Sequence, residues 1–247
     1  MSQAAIAQRM QRSWRFPTPL VTDYGGFLTA AWAGVLVVTF AGSLVSATFF
    51  GLIPASAWEL ITPPARVYMA VISAFVVYSF LPLYVSHGQT RRGFAIEGLI
   101  ALVVHAALAT VLITLGFVIE AGWYRVMGWT RGVPNGHLFT SYGNLPLIVA
   151  EYGLAFLVWS AAGAFAGAAF YRSSRGGWLA LPPALVMVGI TGSALGESLG
   201  PITRFYRDLT GAEAGSLPFA TVVSVACILV AGAATWLLIR DVPIRKR

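Results

Sequence analysis

The sequence predicts an all-α integral membrane protein with six transmembrane helices, and three observations lead there. Hydrophobic residues make up 57% of the 247 positions, charged residues only 10%, and the mean hydropathy is +0.76. An ordinary soluble domain carries about 25% charged residues, so this surface cannot be coated for water. The apolar residues gather into uncharged stretches close to the roughly 20 residues that a spanning helix needs. The remaining charges fall between those stretches, where a chain leaves lipid. Spanning strands need only about 9–11 residues of alternating character, a pattern that is absent.

Six stretches qualify, at about 27–52, 67–85, 94–119, 145–170, 178–195 and 217–239, the fifth barely long enough. They divide the chain into an N-terminal segment (1–26), a six-helix transmembrane domain (27–239) and a basic tail (240–247). In the first segment Ile6, Met10 and Trp14 recur at four-residue spacing among Gln8, Arg9, Gln11, Arg12 and Arg15. That pattern suits a basic amphipathic helix lying in the membrane interface, the alternative being a frayed tail. Pro17, Pro19 and Gly25–Gly26 separate it from the first span. That span exceeds a signal h-region in length, so no cleavable signal peptide is expected.

Basic residues set the orientation. With the N-terminus cytoplasmic, 11 of the 16 lie inside and five outside, the latter being Arg66, Arg125, Arg131, Arg204 and Arg207. Six spans return the C-terminus to the cytoplasm, and the expected location is a bacterial plasma membrane. The net charge of +7 is explained by this bias, without a nucleic-acid partner. Two outer connections are long. One carries Trp123, Tyr124, Trp129 and Tyr142, which favour the headgroup level; the other (196–216) carries Glu197, Arg204, Arg207, Asp208 and Glu213.

Several chemistries are missing. A phosphate-binding P-loop needs a lysine, and Lys246 near the end is the only one. His87, His105 and His137 fall at the inner face, in mid-span and outside, so no shared metal or haem is expected. His105 reads as a packed core residue. Cys227 stands alone in an apolar run, which excludes a disulfide framework within the chain. Gly192–Ser193–Ala194 does not satisfy a nucleophile turn, so no catalytic residue is assigned. Gly192, Gly196 and Gly200 form overlapping small-xxx-small steps, as do Gly163 and Gly167, suited to close helix packing within the subunit or across a dimer. Glu120 closes the third span, Glu151 opens the fourth and Glu197 follows the fifth, all toward the outside. Carboxylates there mark a translocation path or outer gate, or else pair with an arginine such as Arg125 or Arg204.

The most distinctive segment is the short inner turn Ser86–His87–Gly88–Gln89–Thr90–Arg91–Arg92–Gly93–Phe94, after a span bearing Pro82. Thr90 suits a helix N-cap, and two arginines offer bidentate donors to phosphate or carboxylate. Here the chain resembles the permease subunits of ABC-2-type transporters, in particular short six-helix permeases of actinobacteria and other Gram-positives. Their G-x-T-R-R turn is matched by Gly88, Thr90, Arg91 and Arg92, and their acidic residue at the end of the third span by Glu120. Gly163–Gly167 followed by Arg175–Gly176, and the basic tail from Arg240, match further features; His87 departs from the expected small or hydrophobic residue. The resemblance implies that His87 to Arg92 form a coupling segment docking on a separately encoded ATPase subunit, which binds ATP and Mg. It also implies two permeases, as a homodimer or paired with a second permease, exporting an amphipathic or hydrophobic substrate. A polytopic membrane enzyme or redox subunit is the alternative from another class, though the separated histidines and scattered glutamates offer it no common site. A membrane binding or immunity component without export is a third.

Overall fold

In the computed structural model the described residues are predominantly helical, with no strand among them. Those residues are 30, 33–35, 37–38, 41–42, 45, 56, 58–129, 132–133, 136–197 and 215–242. The amphipathic segment 1–26, Gly200, Arg204, Arg207 and the end of the basic tail lie outside them. A 3-10 turn, Trp58–Ile61, leads into α1 (Thr62–Ser86). Then follow α2 (Arg91–Met127), α3 (Leu145–Arg172), α4 (Ser174–Ala194) and α5 (Leu217–Ile239). Each of these five is long and apolar enough to cross a membrane. The first expected span falls largely outside the described residues. The positions described within it are helical, and Val35 packs against the core.

The helix ends follow local chemistry. Thr90 sits in an extended conformation, and its hydroxyl accepts from the Gly93 N–H at 3.0 Å, capping α2. Ser173 is the whole connection between α3 and α4; its hydroxyl accepts from the Gly176 N–H at 2.9 Å. In α1, Pro82 removes the amide that would bond Tyr78, and its ring crowds that carbonyl. The helix widens into a π-helical segment over Val76–Phe80 and continues as Leu81–Ser86. The span therefore carries a built-in joint.

The central helix is α3, which packs against all four others. Of its most apolar window 61% is buried, against 17% for α5, which faces outward. On α1, Ala70 and Ala74 lie one helical turn apart, and opposite them are Gly163 and Gly167 of α3. A Cβ on either glycine would run into the backbone carbonyl of its alanine, so these small residues set the α1–α3 approach within one subunit. Gly116 of α2 likewise leaves room for the Trp58 ring, whose indole donates to the Ile113 carbonyl at 3.0 Å.

Gly196 takes a different role from the expected packing step. The α4 helix ends at Ala194, and Gly196 (φ +103°) reverses the chain in the left-handed region. Its N–H bonds the Ser193 carbonyl and the Glu197 N–H bonds that of Gly192, a Schellman closure. Gly196 therefore ends a helix.

Gly163→Ala and Gly167→Ala should each lower unfolding free energy by about 1–3 kcal/mol in detergent, since backbone must move to admit the methyl. Gly122→Ala, where a Cβ meets open space, should be neutral or slightly stabilising. Equal losses at all three positions would contradict this packing.

Candidate functional site

Polar side chains concentrate where α1 and α3 begin and α2 and α4 end. Glu59 projects from the 3-10 turn, and its carbonyl accepts from the Thr62 hydroxyl at 3.1 Å. Gly136 (φ +111°) turns the chain against the Gly196 carbonyl, bringing His137 inward. His137 then lies between two carboxylates. Its Nδ1 is 2.6 Å from Glu151 Oε1, and its Nε2 bonds Glu59 Oε1. The imidazole stacks on Phe139 with ring centroids 4.7 Å apart. Glu151, fully buried, accepts also from the Leu138 N–H at 2.8 Å. The Tyr142 hydroxyl donates to Glu59 Oε2 at 3.2 Å.

Two further carboxylates lie at the same end. Arg66, in the first turns of α1, bonds Glu197 beyond α4, and its guanidinium lies 5.6 Å from the centroid of the Tyr152 ring. Glu120 accepts from the Ser56 hydroxyl and from the Trp58 N–H at 3.0 Å. The network thus ties the 3-10 turn, all of α1 to α4 and the 132–142 connection together. Alone, burial would push the His137 imidazole down; hydrogen bonds and charge from Glu151 and Glu59 outweigh it and hold it up at about 9. At neutral pH it is an imidazolium flanked by carboxylates, able to hold a proton and to clamp three segments.

These contacts correct one expectation. The histidines and glutamates are not all scattered, since His137, Glu151 and Glu59 converge. Glu120 lies seven residues before the end of α2, which continues to Met127, and its carboxylate is buried. Glu197 pairs with Arg66, one of the five arginines expected outside. Glu59 and the role of Arg66 were not singled out from sequence. The available signal was an arginine placed immediately before an apolar stretch, a charge that demands a partner. His105 is buried midway along α2, away from this network, and His87 is exposed at the opposite end. Among the described residues, no group of three or more His, Cys, Asp or Glu is arranged to hold a metal ion.

The opposite end carries the Ser86–Thr90 turn, exposed along its length. The ring of His87 folds back, its Nδ1 2.7 Å from the Leu83 carbonyl. Its two following arginines differ. Arg91 donates to the carbonyls of Arg240 at 3.0 Å and Val242 at 2.7 Å, clasping the end of α5. Arg92 is exposed beside an apolar cavity of about 520 Å³ bounded by α1, α2, α3 and α5. The expectation that both arginines serve a partner alike is therefore revised: Arg91 is committed within the chain. No family model, curated protein or solved structure matches the chain.

Because the folded His137 pKa lies above its ordinary 6.5, its stabilisation is complete below about pH 6.5 and is lost as pH rises through about 9. Unfolding free energy should fall by roughly 3 kcal/mol across that window. His137→Gln should flatten the profile; an equally steep profile in the variant would assign the effect elsewhere.

Proposed function

We propose that the chain is the membrane-spanning permease subunit of an ATP-driven ABC-2-type transporter, exporting a small amphipathic or hydrophobic substrate. In this reading the protein spans a bacterial plasma membrane six times with both termini cytoplasmic. It works as a homodimer or with a second permease, and takes its ATP and Mg on a separately encoded ATPase. It has no catalytic residue of its own.

The observation that carries the reading is the division of labour at the short turn. Residues 86–90 form an exposed tip between two spans, and Arg91 clasps the end of a third. A partner pressing on His87, Gly88, Gln89 and Thr90 would move α1 and α2 directly and α5 through Arg91. The π-segment and Pro82 give α1 a place to bend. The network around His137 would keep the outer end closed while the turn end moves, which makes Glu120, Glu151 and Glu197 outer-gate residues.

A second reading, a polytopic membrane enzyme, draws on the convergence of Glu59, His137 and Glu151 as a proton-handling group. It predicts that His137→Gln abolishes activity without altering any ATPase.

The permease reading predicts that the full chain, solubilised gently from its native membrane, copurifies with an ATP-binding protein. Adding charge at the tip, His87→Asp with Gln89→Glu, should weaken that association roughly tenfold, about 1.4 kcal/mol of docking energy. Arg91→Gln should leave the ATPase bound but uncouple its hydrolysis from transport. A chain that purifies alone and transports without ATP would overturn the proposal.

A further inference from the structure

The cavity beside Arg92 is a groove whose two walls are α2 from Arg92 to Val103 and α5 from Ile228 to Ile239. Ala161 and Ala164 of α3 form part of its floor. Each wall is 11 residue steps long, roughly 16 Å at 1.5 Å per residue. That matches one leaflet, half of a hydrocarbon core of about 30 Å. The lining is apolar apart from the hydroxyls of Ser160 and Thr235 and, at the turn end, the Arg92 guanidinium, which has no carboxylate paired to it among the described residues. Trp236 lines the same stretch, a residue type that favours the headgroup level.

The groove is held open by small residues. A Cβ built on Gly98 of α2 or on Gly232 of α5 meets nothing within 4 Å. An apolar trough one leaflet long with a cation at its headgroup end is complementary to a lipid with an acyl chain and an anionic head.

We infer that this groove is a binding site for an anionic phospholipid of the surrounding leaflet. An acyl chain lies between α2 and α5, and the phosphate is held by the Arg92 guanidinium. The forked donors of arginine match a phosphate in geometry as well as charge. Gly98 and Gly232 admit the chain, and Arg92 selects the headgroup. The site stands apart from the His137 network and does not depend on the transport proposal.

The test uses the full chain in nanodiscs of phosphatidylcholine doped with photoactivatable phosphatidylglycerol or, separately, photoactivatable phosphatidylcholine, with labelled residues mapped by mass spectrometry. Labelling should concentrate within 92–103 and 228–239 and favour phosphatidylglycerol several-fold. Arg92→Gln should bring that preference to unity and Arg92→Lys should restore much of it. Gly98→Leu with Gly232→Leu should remove groove labelling by both lipids while sparing the exposed face around Val111 and Leu115. If the double variant does not fold, the Arg92 pair still decides. Even labelling around every lipid-facing helix without headgroup preference would overturn the site. So would a groove that is unlabelled and crosslinks instead to a second copy.

Discussion

Carboxylates held out of water govern how this protein is put together. Glu151 is fully buried and Glu120 nearly so, in a chain with only nine acidic residues. An isolated carboxylate in such surroundings costs several kcal/mol, and breaking one member of a buried pair costs about 3–5 kcal/mol. The fold answers by drawing in the His137 imidazolium from a connection, the Arg66 guanidinium from α1 and backbone amides at Trp58 and Leu138. Much else at that end follows. The chain reverses at Gly136 and Gly196 directly before His137 and Glu197, and these two glycines meet backbone to backbone.

The two ends of the bundle consequently differ in kind. One is cross-tied by charge and by the clustered rings of Phe117, Phe139, Tyr142 and Tyr152. The other is held by capping hydroxyls, the Arg91 clasp and side-chain packing around Phe94 and Ile239. Between them α1 is interrupted by a π-segment, while α3 is locked against α1 by Gly163 and Gly167. In the transporter reading this asymmetry is the working principle: a fixed outer end, a movable turn end and a joint between them. The groove proposed to hold lipid lies at that same end, between α2 and α5.

The spans were legible because hydropathy and length are local properties. The last one was expected at 217–239 and is Leu217–Ile239; the fourth differs only in its final turn. Thr90 was legible as a cap for the same reason. The polar network was not, because its members are far apart in sequence: Arg66 and Glu197 by 131 positions, His137 and Glu59 by 78. The partners of Glu120 were equally out of reach, since the Ser56 hydroxyl and the Trp58 amide that bond it lie more than 60 positions away. The glycine steps at 163/167 and 192/196 share one spacing and do different jobs. Spacing alone does not say whether a partner helix lies opposite or the chain turns there.

The charge state of His137 is the point on which the account turns, and nitrogen-15 NMR of histidine-labelled protein at neutral pH reads it directly. His137 should show both ring nitrogens protonated, persisting until the pH approaches about 9, and Glu151→Gln should bring that titration down. A neutral imidazole at pH 7, with one bare nitrogen, would contradict the clamped network and the closed end built on it.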